Sequence, residues 1–268
     1  MTRFLIVIVA YKTTISKLVP LRYFSTLRDQ DFHILIYDNS PTSTEKDVNL
    51  QNISYIHDPN NSGISTAYNV GAKYAQINGY DWMILFDQDT LIANDFLNIT
   101  KISIKKNPLI SLFVPTVKFQ RGGIMSPKVC RFYRPSHSSI PEGVNNLRNV
   151  SIINSGICIR TTIFIEAGGY NEKTAVDFAD YQFIERLEKV ITDFYVTEAV
   201  LIQDFSNNEI SEERLYSRFV IYCQSIKNYE TSYYRKIALY YTGFLHSLAL
   251  CRRTKSKRFI THFFKSLF

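Results

Sequence analysis

The chain has 268 residues, of which 46% are hydrophobic and 14% aromatic. That is apolar mass for one large or two small globular domains, and it excludes a disordered or low-complexity protein. The net charge of +7 gathers at one end: residues 251–268 hold six cations without an acid, and the 250 residues before them carry 25 basic and 24 acidic groups, a balance that excludes the broad basic face of a nucleic-acid binder.

Residues 4–10 form an apolar run that reads as a first buried strand. It is too short to span a bilayer and no small-residue cleavage pattern follows it, so a cytosolic protein is expected. Thr14 is expected to open a helix to about Arg28, with Pro20 near its first turn or kinking it. Phe32 to Tyr37 reads as a second strand leaving through Asp38-Asn39-Ser40-Pro41, and Ile53 to His57 as a third. Ile64 to Ile77 has helical periodicity and stops at Asn78-Gly79. Residues 82–86 are a fourth strand, continuously apolar like a strand covered on both faces, and it breaks at Asp87-Gln88-Asp89. This βαβ alternation predicts a parallel, nucleotide-binding type of sheet.

A helix is expected from Asn94 or Asp95 to Lys106. Leu109 to Phe119 reads as a strand, and Pro115 inside it predicts an edge or bulged position. Gln120 to Asn149 is too long for an ordinary connection and suits substrate contacts or a small hairpin. Val150 to Arg160 is apolar apart from Asn154-Ser155-Gly156, and a short helix from Thr161 closes at Gly168-Gly169. An acidic cluster from Asp177 opens an amphipathic helix to Val190, and Phe194 to Ile202 is a last strand. Two Tyr-rich helices over 211–250 precede the basic tail, whose Phe259, Ile260, Phe263, Phe264, Leu267 and Phe268 alternate with cations as in a helix lying on anionic lipid. Cys130, Cys158, Cys223 and Cys251 stand far apart; they make no disulfide framework and fit a reducing compartment. Cys158 is expected to be a packed core thiol.

The chemistry-bearing residues fall at strand ends. Asp87 and Asp89, one residue apart where a strand leaves the sheet, suit a hard cation such as Mg²⁺ or Mn²⁺ held against a diphosphate, or an Asp-rich turn. Asp38 at the second strand's exit can accept from a base or a ribose hydroxyl, or serve a turn. Asn61-Ser62-Gly63-Ile64, with Ala67, Asn69 and Gly71 on the next helix, offers backbone donors to an anion and lets the helix approach the sheet. Asp180 can take a proton from an attacking hydroxyl, or cap its helix.

In this order, Tyr11, Asp38-Asn39-Ser40, N-x-G-I-x-x-A-x-N-x-G, D-x-D, N-S-G, G-G-Y-N and an acidic cluster ending in E-R resemble the inverting family 2 glycosyltransferases. Phe86-Asp87-Gln88-Asp89-Thr90 resembles their rhamnosyltransferase-like branch. The resemblance covers about residues 3–206. It implies an α/β fold of GT-A type, a Rossmann-like, mixed but mostly parallel central sheet flanked by helices. Residues 1–206 would be the catalytic domain, with a nucleotide-binding half in 1–90 and an acceptor-binding half in 91–206. Residues 207–268 would be a helical, membrane-associating extension.

The resemblance also implies roles. Tyr11 and Asp38 would frame the nucleobase, Gly63, Ala67 and Asn69 would line the nucleotide-sugar pocket, and Gln88 would join them between the carboxylates. Asp87 would lie near ribose and metal, and Asp89 would ligate Mg²⁺ or Mn²⁺. Asn154, Ser155, Gly156, Asp177 and Arg186 would shape the sugar and acceptor site, and Asp180 would be the general base. Three positions depart from the family pattern: Lys12 follows Tyr11 in place of Asn, Gln182 replaces a carboxylate, and Gln203-Asp204 stand where a metal-binding histidine is common. Asp204 is the expected substitute ligand, and Gln203 a weaker oxygen donor.

The function implied is transfer of L-rhamnose from dTDP-L-rhamnose to a lipid-linked glycan at the inner face of the cell membrane, in O-antigen or capsule synthesis. The tail would contact anionic lipid, and no nucleic acid would be bound. The alternatives are the same fold with a UDP-hexose or UDP-galactofuranose donor, a noncatalytic nucleotide-sugar-binding protein, and a nucleotidyltransferase using the same carboxylate pair.

Overall fold

Seven unbroken apolar residues, Phe4–Ala10 (β1), lie inside the main sheet and are buried along their whole length. The computed structural model describes residues 2–28, 31–44, 52–174, 178–203 and 211–267. Successive side chains of β1 point to opposite faces. Leu5, Val7 and Val9 join one core cluster, and Phe4, Ile6, Ile8 and Ala10 the other. This two-sided burial is why the strand is apolar without alternation.

A short 3₁₀ turn (Ile15–Lys17) leads into α1 (Val19–Phe24), followed by β2 (Phe32–Asp38), β3 (Ile53–His57), α2 (Gly63–Ile77) and β4 (Trp82–Asp87). The single helix expected from Thr14 is therefore broken: Pro20 sits in the first turn of α1, and the Val19 N–H donates to the Gln88 carbonyl at 2.9 Å. β1 pairs in parallel with β2 and β4, and β2 with β3. α2 packs closely on this sheet at Gly71, where a Cβ would stand 2.8 Å from Val7 Cγ2.

The second half adds β5 (Leu91–Ile92), α3 (Phe96–Lys106), β6 (Leu112–Lys118), β7 (Ile124–Ser126), β8 (Lys128–Arg131), β9 (Arg134–Ser139), β10 (Gly143–Asn146), β11 (Val150–Ser151), β12 (Cys158–Arg160), α4 (Thr161–Glu166), α5 (Ala179–Leu187) and β13 (Asp193–Ile202). The main sheet runs β10-β13-β6-β12-β4-β1-β2-β3. β6 is thus an inner strand, not an edge. It accommodates Pro115 through the bulge in its partner, where pairing jumps from Val114↔Val196 to Thr116↔Val200. Residues 120–149 are a hairpin region: β8 pairs with β9 and β11 in a separate small sheet, β7 folds back on β6, and β10 joins β13. Cys158 is buried in the core.

Helices α6 (Glu212–Asn228), α7 (Tyr233–Thr254) and α8 (Arg258–Leu267) complete the chain. The tail's aromatics do not all face outward as expected. Phe259 and Phe263, one helical turn apart, are buried against Phe219, Cys223 and Leu250, and Phe264 is exposed. Arg258 anchors α8 through Glu212 and Glu213. The link between α6 and α7 also holds α5: the Gln182 Nε2 donates to the Glu230 carbonyl at 3.2 Å, and its Oε1 accepts from Asn171 and Thr174. No helix among the described residues is long and apolar enough to cross a membrane.

Candidate active site

The carboxyl ends of β1 and β4, the 154–156 turn, the first turn of α5 and the end of β13 converge on one cavity of about 680 Å³. Asp87, Asp89 and Asp180 line it together with Tyr11, Gln88 and Asn154. Lys128 and Arg218 also reach its wall and give it basic groups.

Asp87 ends β4 half-buried. Its N–H donates to Ser155 Oγ at 3.1 Å, and its carboxylate accepts from Tyr68 Oη (3.3 Å), Asn154 Nδ2 (3.2 Å) and Gln203 Nε2 (3.0 Å). Burial raises its pKa, and these donors pull it back. Asp89 is exposed to the cavity, and its pKa is raised by desolvation and by the neighbouring Asp87 charge. Gln88, between them, positions the loop. Its Oε1 accepts from the Tyr11 N–H at 2.8 Å, which fixes the exit of β1.

Of Asn154-Ser155-Gly156, Asn154 lines the cavity, while Ser155 and Gly156 are buried and do not reach it. Ser155 is fully buried and also bonds Thr90 at 2.7 Å, tying this turn to the D-Q-D loop. Gly156 has φ +81°, and a Cβ there would overlap Leu201 and stand 2.6 Å from Pro115. Asn154 reaches both Tyr68 and Asp87, and its backbone N–H serves Asp180. Asp180 sits in the first turn of α5 but does not cap it; Phe178 holds the N-cap position. Burial first, and the Asp87 charge second, push the Asp180 carboxyl up to about 8, against the Asn154 N–H. Such a group gains and loses its proton near neutral pH, which suits a general base.

Other expected site residues stand apart from this cavity. Asp38 is wholly buried and accepts from the Ser40 N–H (2.9 Å), Thr44 Oγ1 (2.9 Å) and Tyr55 Oη. Burial alone would raise its pKa, but these donors hold it below the ordinary range. Ala67 is buried in the core. Asn69 fastens α2 to the Gly168-Gly169 turn, accepting from the Tyr170 N–H at 2.9 Å and donating to its carbonyl at 2.9 Å. Arg186 donates to the carbonyls of Gly168 and Gly169 and pairs with Glu230. Gly63 opens α2 at φ +92° with open space around it, and the adjoining Ile64 lines the cavity. Asp177 and Asp204 lie outside the described residues.

Two contributors are additions. Tyr68 is buried beneath Asp87 and bridges it to Asn154. In sequence it is one more apolar position of a core helix, which hides this role. Gln203 is the other. Its Nε2 serves Asp87, while its Oε1 is buried without a hydrogen-bond partner among the described residues. Its position where a histidine is common was the signal. Among the described residues no group of three or more His, Cys, Asp or Glu side chains gathers to hold a metal. Asp87, Asp89 and the orphaned Gln203 oxygen nevertheless make an all-oxygen set, the donor type that Mg²⁺ and Mn²⁺ prefer.

The profile of the family described as "Glycosyl transferase family 2" matches residues 5–158. The chain belongs to that family. It is 27% identical over 187 residues to the dTDP-rhamnosyl transferase RfbF of Shigella flexneri, across 67% of this chain and 61% of that protein. The chain thus spans less than two thirds of that relative's length. Its fold is similar to the crystal structure of S. aureus TarS 1–349 at a TM-score of 0.57 and 14% identity, covering 91% of this chain and 70% of the other. TarS 1–349 in complex with UDP-GlcNAc gives 0.58 and 16%, covering 93% and 72%. At such identities the likeness speaks to fold, and the mixed, mostly parallel sheet flanked by helices is the GT-A architecture. The family match ends before α5, so Asp180 lies beyond it.

Proposed function

We propose that this family 2 chain is an inverting glycosyltransferase that moves L-rhamnose from dTDP-L-rhamnose to a hydroxyl of a lipid-linked glycan at the inner face of the cell membrane. The observation that carries the reading is the sharing of one cavity by a D-Q-D pair and a carboxyl tuned to about 8. Family membership and the likeness to RfbF support transfer and the donor choice. The likeness to TarS bound to UDP-GlcNAc supports a fold able to take a nucleotide sugar.

In this mechanism Asp87, Asp89 and Gln203 would hold Mg²⁺ or Mn²⁺, which when bound supplies Lewis-acid stabilisation to a departing diphosphate. Tyr11, whose backbone N–H is held by Gln88, would present its half-exposed ring at the donor side. Asp180 takes the proton of the acceptor hydroxyl as its oxygen attacks the anomeric carbon from the face opposite the nucleotide, so a single displacement inverts configuration. Tyr68 and Asn154 fix the distance between the carboxylates. The exposed cations of the tail, Arg252, Lys255 and Lys257, would meet anionic lipid beside the acceptor.

The test is a screen of dTDP-L-rhamnose, UDP-glucose, UDP-galactose and UDP-galactofuranose with Mg²⁺ or Mn²⁺, read as nucleotide release and sugar transfer. Turnover of dTDP-rhamnose is expected. Turnover of a UDP-sugar alone would replace the donor, and turnover of none would leave a nucleotide-sugar-binding protein.

A further inference from the structure

A second cleft, of about 380 Å³, lies along α5 beside the cavity. Tyr181 lines both. It follows Asp180 directly, so successive residues of one helix serve the two spaces. Tyr181, Ile184, Glu185 and Glu188 carry the cleft along one face of α5, at the spacing of neighbours on a helix. Opposite stand the β8–β9 turn and the start of α7.

The lining is mixed in a particular way. Phe132 and Tyr133 of the turn and Tyr234 of α7 supply aromatic rings; Phe132 and Tyr234 are 73% and 83% exposed. Polar groups lie between the rings. Tyr133 Oη donates to Glu185 at 2.7 Å, and Arg235 pairs with Glu185 at 3.3 Å and Glu188 at 3.0 Å. Phe132 and Tyr133 both have positive φ, +49° and +60°, a conformation costly for bulky residues. The turn is held on α7 by Thr242, whose Oγ1 donates to the Phe132 carbonyl at 3.0 Å.

Flat rings match the C–H faces of a pyranose, and fixed carboxylate and guanidinium groups match its adjacent hydroxyls. Here the charged groups are paired before any ligand arrives, so they need little reordering on binding. The volume falls within the range of about 300–1,000 Å³ in which pockets enclose most of a small ligand.

We infer that this cleft is a saccharide subsite that holds the sugars of the acceptor glycan next to the one whose hydroxyl reaches Asp180. The inference rests on the proposed glycosyl transfer for its direction: the accepting sugar lies in the cavity, and the chain of the glycan passes over Tyr181. It implies that the protein reads at least two acceptor sugars.

The test uses the full chain and methyl glycosides of mono- and trisaccharides of rhamnose, glucose, galactose and N-acetylglucosamine, observed by saturation-transfer NMR without donor. At least one trisaccharide is expected to bind more tightly than its monosaccharide. In the double variant Phe132→Ala/Tyr234→Ala, which removes surface rings and opens no core, that binding is expected to weaken about tenfold. Nucleotide binding and donor hydrolysis should stay unchanged. No preference for trisaccharides, or unchanged binding in the variant, would overturn the subsite. Trisaccharide binding lost in the variant, with no donor turned over by either protein, upholds the subsite and removes glycosyl transfer. Equal transfer to trisaccharides by both proteins removes the subsite and leaves transfer standing.

Discussion

Gln203 donates to Asp87 at 3.0 Å through one end of its amide and buries the other end's oxygen without a hydrogen-bond partner among the described residues. A buried acceptor left unpaired costs about 1–3 kcal/mol, and a cation drawn to Asp89 would remove that cost. We expect Gln203→Ala to weaken Mn²⁺ binding in the presence of nucleoside diphosphate about 10- to 100-fold, measured by the EPR signal of free Mn²⁺. Unchanged affinity would take Gln203 out of the metal site.

Replacing the proposed base separates binding from chemistry. Asp180→Asn should lower transfer by about 10²–10⁴-fold while donor affinity, followed by calorimetry, holds. Transfer at the parent rate would remove Asp180 from the mechanism.

The same substitution should act on stability, with a sign set by the raised pKa. Asp180 has an ordinary value near 3.8 and is pushed up to about 8 in the folded protein, by burial and then by Asp87. Between those values the folded state keeps a proton that the unfolded state has lost. The stability linked to that proton is full below about 3.8 and is lost as pH rises through about 8. Asp180→Asn should therefore gain thermal stability relative to the parent as pH increases over this window, and melting curves at several pH values check it. A constant difference in Tm would mean that the carboxyl titrates normally. Activity should run the other way, rising with pH toward about 8 as the base ionises.

Gly156→Ala tests the turn that faces Asp87. Its φ of +81° and the overlap with Leu201 and Pro115 leave no room for a methyl group. We expect a loss of roughly 2–4 kcal/mol in urea unfolding. A change below about 0.5 kcal/mol would show that the turn relaxes.

The tail calls for charge changes rather than truncation, because removing α8 would uncover Phe219 and Leu250. Replacing Arg252, Lys255 and Lys257 with Ser should abolish flotation with anionic vesicles at low salt, where surface electrostatics are strongest. Retained flotation would move the lipid contact elsewhere.

Much of the frame was legible because its signals are local. β1 and β4 announce themselves by seven and five apolar residues buried on both faces, and the D-Q-D break marks where the chain leaves the sheet. What stayed hidden depends on distant partners. Pro115 suggested an edge or bulged strand, and it is a bulge some eighty residues away in β13 that makes room for it inside the sheet. Asp38 could be read as a ligand-facing carboxylate or as a turn residue, and its bonds to Ser40, Tyr55 and Thr44 come partly from positions the local sequence does not point to. Phe259 and Phe263 looked lipid-facing until α6 and α7 covered them. Tyr68 carried no signal at all, since its value lies in meeting Asn154 across 86 positions of sequence.

Gln182 is a joint: one amide grips Asn171, Thr174 and the Glu230 carbonyl together. With Arg186 also reaching Glu230, the helix that bears Asp180 is tied to the link between α6 and α7 as well as packed in the core. The two parts are then poor units for exchange. A chimera that grafts a relative's extension onto this sheet is expected to misplace Asp180, the proposed base, unless residue 182 and its three partners travel with it.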